Sequence, residues 1–129
     1  TMRQAFGNDI VAKALQKRLE DSKYDIAIID GVRYKEDADL VRSFPQNLLV
    51  YITANTEVRF KRISQRTEKV GEKGVSLEQF LKEEEAPTEM PIKSTGQNAD
   101  IKITNNGTIL DLKNSVEEFT KNPLFSQYI

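Results

Sequence analysis

The stretch Asp25-Ile26-Ala27-Ile28-Ile29-Asp30-Gly31-Val32-Arg33 decides how this chain is read. Its apolar run lacks polar alternation, the pattern of a strand buried on both faces in a parallel sheet covered by helices. In open sheets of that kind ligands lie beyond the carboxyl ends of the strands, where Asp30 and Arg33 are expected. A carboxylate that can hold a cation beside a guanidinium that can grip an anion suits a metal-bound phosphate. A strand-ending Asp-Gly turn followed by a surface arginine explains the same residues. Both readings stand at this point.

Composition narrows the chemistry more than the class. The 129 residues suit one domain, 1–129, with one core. A hydrophobic fraction of 38% with 30% charged residues is ordinary for a globular domain. The net charge of -1 provides no global basic field, so nucleic acid is not an expected partner. There is no cysteine and no histidine. Thiol chemistry, disulfides, thiolate zinc sites, imidazole bases and Ser-His triads are thereby excluded. Carboxylates, Lys/Arg, hydroxyls, backbone groups or an oxygen-ligated metal must carry any catalysis. No apolar run approaches the roughly 18 residues of a membrane span, and no leader pattern opens the chain, so a cytoplasmic protein without membrane contact is expected.

On both sides of the opening stretch, helical and strand patterns alternate. Phe6, Ile10, Val11, Ala14, Leu15 and Leu19 recur at helical spacing, with Asn8 or Asp9 as the N-cap. A strand is expected at about 24–29 and a helix at about 35–43, stopping before Phe44-Pro45. A second buried strand covers 48–52, and Thr56 is expected to cap a helix carrying Val58, Phe60 and Ile63. Ser76-Leu77-Glu78-Gln79 is a capping-box pattern, Pro87 interrupts the helix it opens, and weak periodicity suggests another helix at about 88–97. Ile101-Lys102-Ile103-Thr104 reads as a third strand and Asn105-Asn106-Gly107 as a turn. Thr108 with Asp111 caps a last helix to about Thr120, expected to bury Ile109, Leu112, Val116 and Phe119. Asn122-Pro123 ends it, and the apolar tail is free to dock on the body or on a neighbour. Alternating helices and buried strands imply a three-layer α/β sandwich with a parallel sheet.

Four groups of residues are candidates for chemistry. Asp30 and Arg33 form the first. The second is Arg62 and Arg66, four apart on one helix face with Arg59 a turn earlier, where paired guanidiniums suit a polyphosphate and equally suit a solvated basic face. Residues 59–73 carry six basic residues against Glu68 and Glu72, whereas 78–89 carries five glutamates against Lys82. Such a pair of segments fits a lid-like unit at about 66–98, or two charged faces that simply attract; Glu83-Glu84-Glu85 is expected to face solvent. The third group is Asn105-Asn106-Gly107, able to read a base edge or to serve as a plain turn. Arg3, one helix before the first strand, is the fourth, either within reach of an acceptor phosphate or a surface arginine.

The order of these pieces resembles P-loop kinases of the nucleoside-monophosphate-kinase fold. Asp30-Gly31-Val32-Arg33 looks like the Asp-Gly-x-x-Arg strand ending of adenylate-kinase-type enzymes, compressed to a single intervening residue. Leu49-Val50-Tyr51-Ile52, followed by Glu57-Val58-Arg59-Phe60-Lys61-Arg62-Ile63-Ser64-Gln65-Arg66, resembles their next strand and lid-entry helix. Ala99-Asp100-Ile101-Lys102-Ile103-Thr104-Asn105-Asn106-Gly107-Thr108 is similar to a segment of dephospho-coenzyme A kinases and archaeal adenylate-kinase-related proteins. Arg3 to Ala12 resembles the helix preceding the acid-bearing strand in the archaeal group.

The resemblance implies transfer of the terminal phosphoryl group of ATP, with Mg²⁺, to a small acceptor such as a nucleoside monophosphate. It implies that Asp30 orders Mg²⁺ through water together with the attacking oxygen, and that Arg33 binds the acceptor, with Arg3 in reach. Arg62 and Arg66 would neutralise the transferring phosphoryl group or stack on adenine, and Asn105, Asn106 and Gly107 would contact the base. Such chemistry is positioning plus charge stabilisation, so it needs neither histidine nor cysteine.

One departure is large. The Gly-x-x-x-x-Gly-Lys-Ser/Thr loop that supplies phosphate-binding amides, the lysine and a metal-binding hydroxyl is absent from the sequence. The expectation is therefore a portion of a longer kinase that lacks its first βα unit, roughly 30 residues or more, and is inactive by itself. A non-catalytic nucleotide- or phosphate-binding module is the alternative. A receiver-type domain phosphorylated on Asp30 fits less well, because Asp9 is a lone acid on a helix.

Overall fold

The computed structural model describes residues 2–7, 9–70 and 74–127, and of residues 2, 3 and 67–70 the backbone only. Helices α1 (Met2–Phe6), α2 (Ile10–Glu20) and α3 (Lys35–Ser43) precede strand β1 (Val50–Thr53). Helices α4 (Thr56–Val70), α5 (Leu77–Glu84) and α6 (Met90–Gln97) lead to β2 (Ile101–Thr104), followed by α7 (Ile109–Thr120) and α8 (Pro123–Ser126). The fold is α/β. Its sheet has two parallel strands, in register from Val50 opposite Ile101 to Thr53 opposite Thr104. Parallel strands need a crossover, supplied here by α4, α5 and α6.

Local chemistry sets most boundaries. Phe44 is extended at φ -80° and ψ 137°, as a residue before proline prefers, and α3 ends there. The Ser76 hydroxyl accepts the Gln79 N–H at 3.1 Å and starts α5. Thr108 and Asp111 cap α7 reciprocally: the Thr108 N–H reaches Asp111 Oδ2 at 2.7 Å and the Asp111 N–H reaches Thr108 Oγ1 at 3.2 Å. Two expected caps change. Asp9 precedes α2 but its carboxylate pairs with Lys13 at 2.6 Å rather than capping an N–H. Asn8 lies outside the described residues. Thr56 is the first helical residue of α4, and the Asn55 carbonyl before it accepts the Arg59 N–H at 3.0 Å.

Packing is thin. Among the described residues the buried apolar ones are Ala12, Leu40, Leu49, Phe80 and Ile103. The rings of Phe60 and Phe80, 5.6 Å apart, hold α5 against α4. Helix α6 lies so close to β1 that a Cβ on Gly96 would sit 2.5 Å from the Tyr51 ring. Phe125 of α8 packs on Phe119 of α7 at 4.6 Å, so the chain's apolar end turns back on α7 as far as it is described.

The strand expected at 24–29 does not form. Ile26 and Ile28 are 61% and 91% exposed, and the segment pairs with neither strand. A strand is stabilised by its ladder and cross-strand neighbours, and among the described residues β1 and β2 pair only with each other, so residues 24–29 have no ladder. The same shortage corrects the expected burial of α7. Ile109 and Val116 on that helix are 77% and 43% exposed, because two strands present too little surface to cover it. The expected sheet of three strands is thus reduced to two.

At the N-terminal end of the sheet Arg42 of α3 ties several segments together. Its guanidinium donates to Asp100 Oδ2 at 2.6 Å, to Asn47 Oδ1 at 2.8 Å and to the Asn98 carbonyl at 2.9 Å. The same Asp100 oxygen accepts the Leu49 N–H at 2.8 Å, so one carboxylate joins the entry of both strands. Partial burial works against the Asp100 charge, but Arg42 and the Leu49 amide outweigh it and hold the carboxyl below its ordinary value.

Candidate functional site

The opposite, C-terminal end of the sheet collects some of the residues that the sequence marks for binding, Arg62 and the Asn105–Gly107 loop. Thr53 ends β1 and Thr104 ends β2 in register, so the loops that follow them start side by side. The Asn105 N–H continues the ladder to the Thr53 carbonyl at 2.7 Å. Asn106 then turns its side chain across to the other loop, where Oδ1 accepts the Asn55 N–H at 2.8 Å. From above, Arg62 of α4 donates through Nη1 to the Asn105 carbonyl and through Nη2 to the Gly107 carbonyl, both at 2.7 Å. A weaker contact joins Nη2 to Asn105 Oδ1 at 3.4 Å.

Arg62, Asn105, Asn106 and Gly107 therefore form one hydrogen-bonded unit, and the capping pair Thr108–Asp111 forms its floor. The Thr108 hydroxyl and amide hold the Asp111 carboxyl below its ordinary value. All of Arg62's partners here are neutral oxygens. No carboxylate among the described residues pairs with Arg62. Arg66, one turn further on the same exposed face, makes no hydrogen bond or ion pair with the described residues. The other arginines beside the sheet differ. Arg59 pairs with Glu84 of α5 at 2.9 Å, Arg42 with Asp100, and Arg33 with Glu89. The Arg59 pair also corrects Glu84, which is half-buried against α4 rather than facing solvent with Glu83 and Glu85.

Asp30 and Arg33 occupy a separate region. Gly31 has φ +79°, a left-handed backbone conformation that a side chain would strain, but the chain makes no turn from Asp30 to Arg33, and the strand before them is absent as well. Asp30 is exposed and has no partner among the described residues. Arg33 is bound on both sides: its guanidinium by Glu89, and its carbonyl by the Thr95 hydroxyl at 3.0 Å, Thr95 being buried in α6. No hydrogen bond or ion pair joins Asp30 or Arg33 to Arg62, Arg66 or the Asn105–Gly107 loop. The backbone of Arg3 lies in α1, and its side chain is outside the described residues. Gly71, Glu72 and Lys73 of the lid-like segment also lie outside them.

Among the described residues no group of three or more carboxylates stands close enough to cage a metal. Magnesium beside a polyphosphate keeps several waters and takes only one or two protein carboxylates, so one exposed carboxylate such as Asp30 fits an outer ligand. An open groove of about 530 Å³ runs along β2 and α7, lined by Ile101, Ile103, Ser115 and Phe119 among others. It contains none of the expected site residues. No helix among the described residues is long and apolar enough to cross a membrane.

Residues outside the sequence reading also matter here. Asn55 was visible only as the residue before a helix start, and Glu84 and Glu89 only as members of an acidic run. Arg42 and Asp100, 58 positions apart, carry no sequence signal of their pairing.

The chain is similar to archaeal proteins named UPF0200. A relative from Methanothermobacter thermautotrophicus is 21% identical over 121 residues, covering 93% of this chain and 63% of its own length. One from Saccharolobus islandicus is 23% identical over 121 residues, with 92% and 63% covered. A third, from Thermoplasma volcanium, is 37% identical over 65 residues, half of this chain and 35% of its own length. The chain thus spans less than two thirds of the length of these relatives, and their names state no activity. No protein-family model matches the chain, and no solved structure matches it.

Proposed function

We propose that this chain is the part of an ATP-dependent small-molecule kinase that follows the phosphate-binding loop, with a three-layer sandwich of the nucleoside-monophosphate-kinase type in the whole protein. The observation that carries the reading is a pair of arginines, Arg62 and Arg66, without carboxylate partners among the described residues, on the helix beside a hydrogen-bonded loop beyond the carboxyl ends of two parallel strands. Of the described arginines around the sheet, Arg33, Arg42 and Arg59 are neutralised by acids, so Arg62 and Arg66, which are not, favour an anionic ligand.

Mg·ATP supplies the transferable phosphoryl group when bound. Asp30 would hold the metal through water and orient the attacking oxygen of the acceptor. Arg33 would bind the acceptor's anionic group in exchange for Glu89. Arg66 would stabilise charge on the transferring phosphoryl group or stack on the base, and the Asn105–Gly107 loop would meet the base. Turnover of ATP by the full-length protein with nucleoside monophosphates, deoxynucleotides and dephospho-coenzyme A tests this. Arg66→Ala and Asp30→Ala should each lower kcat/KM by about 100-fold, in the range of lost electrostatic stabilisation. Unchanged turnover in both variants would remove the assignments.

A second reading, a nucleotide-binding module without catalysis, is favoured by the absence of Gly-x-x-x-x-Gly-Lys-Ser/Thr from these residues. It predicts saturable nucleotide binding with no turnover for any acceptor.

A further inference from the structure

Arg62 and Arg66 share a helix face, yet their surroundings differ. Two of Arg62's nitrogens are occupied by carbonyls two residues apart in one loop, while Arg66 is unengaged among the described residues. We propose that Arg62 is the positioning residue of the site and Arg66 the contacting one: Arg62 and Asn106 latch the 105–107 loop to α4 and to Asn55, fixing the loop before any ligand arrives. This assignment rests on the nucleotide reading given above and divides its labour.

The fork geometry makes the division. A planar guanidinium can reach the Asn105 and Gly107 carbonyls at once with parallel donors, whereas an ammonium is a point charge that cannot hold both in that plane. With the Asn105 carbonyl turned to Arg62, the trans peptide directs the Asn106 N–H the opposite way. That N–H makes no bond with the described residues and stays available as a donor to a ligand. Asn106 Oδ1 already accepts the Asn55 N–H, so the loop is held from α4 and from the β1 end together. Because every acceptor of Arg62 is neutral, the latch leaves its positive charge uncompensated beside Arg66. A loop fixed in advance binds more tightly, since its ordering cost does not fall on the ligand.

Amide hydrogen exchange and Mg·ATP titration on the full-length protein test this together. The reporters are the Asn55 and Asn105 amides, which are bonded only while the loop is seated. Arg62→Ala and Arg62→Lys should both speed their exchange about tenfold and weaken Mg·ATP binding about tenfold, with the Ile103 amide unchanged. Arg66→Ala should weaken binding and leave exchange as in the wild type. Binding restored by Arg62→Lys would overturn the latch in favour of a plain charge effect, and so would unchanged exchange in both Arg62 variants. Wild-type protein that binds no Mg·ATP while the Arg62 variants still speed exchange would overturn the nucleotide reading and leave the latch standing.

Discussion

The two ends of the sheet use the same device for different purposes. At the N-terminal end Arg42 gathers Asn47, Asn98 and Asp100 around the entry of β1 and β2. At the C-terminal end Arg62 gathers Asn105 and Gly107 around their exit. Each guanidinium spans segments more than 40 residues apart in sequence. The difference is the carboxylate: Asp100 neutralises Arg42, and no carboxylate among the described residues neutralises Arg62. A paired arginine stabilises the fold, whereas an arginine bonded only to neutral carbonyls keeps its charge for something else. Hydrogen-bond count alone would not separate the two.

The largest expected effect tests the structural end. Arg42→Ala strips the Asp100 carboxylate and two neutral acceptors of their donor. It should lower unfolding free energy by about 2 kcal/mol in urea titrations, the scale of a charge-assisted hydrogen bond, with the pair about a third exposed. Binding of Mg·ATP by the folded fraction should stay as in the wild type. Arg62→Ala should do the reverse, costing about 1 kcal/mol or less of stability while binding falls. If both variants lose stability equally and neither loses affinity, the distinction between the ends is gone.

Close packing behind the sheet gives the next effect. Gly96→Ala forces a methyl into the Tyr51 ring and should cost about 1–2 kcal/mol, as overpacking does. Urea midpoints would report it, and a variant as stable as wild type would mean α6 can slide away from β1.

A smaller signature comes from pH. The Asp100 carboxyl is held below its ordinary value, so its contribution is complete above the unfolded pKa of about 3.9. It is lost as pH falls through the lowered folded value. Stability of the wild type should therefore drop more steeply below about pH 4 than that of Asp100→Asn, whose curve lacks this component. Parallel curves would show that Asp100 does not carry the pairing.

Smallest is the floor of the binding loop. Thr108→Ala removes the hydroxyl that accepts the Asp111 N–H and should cost about 1 kcal/mol, a typical N-cap loss.

Sequence patterns located these ends unequally. Helices α3, α5 and α7 were legible because their signals are local: Pro45 after Phe44, Ser76 before Gln79, and Thr108 with Asp111. Strand β2 was legible as Ile101–Thr104 for the same reason. The Ile26–Ile29 run was misleading because apolar composition says that a segment can be a buried strand, while a partner edge decides whether it is one. Burial of Ile109 and Val116 failed likewise, since periodicity marks a face without supplying what covers it. In the candidate site, the residue types of Arg62, Arg66 and Asn105–Gly107 were readable from spacing. Their division into latched and unengaged arginines was not, because it depends on carbonyl directions in a loop 43 residues away.

Titration of Mg·ATP into the full-length protein, with wild type, Arg66→Ala and Arg42→Ala compared at one salt concentration, tests the central claim most directly. The account predicts saturable binding that weakens at least tenfold in Arg66→Ala and is unchanged in folded Arg42→Ala. Equal affinity in the wild type and Arg66→Ala, or no binding by the wild type, would contradict it.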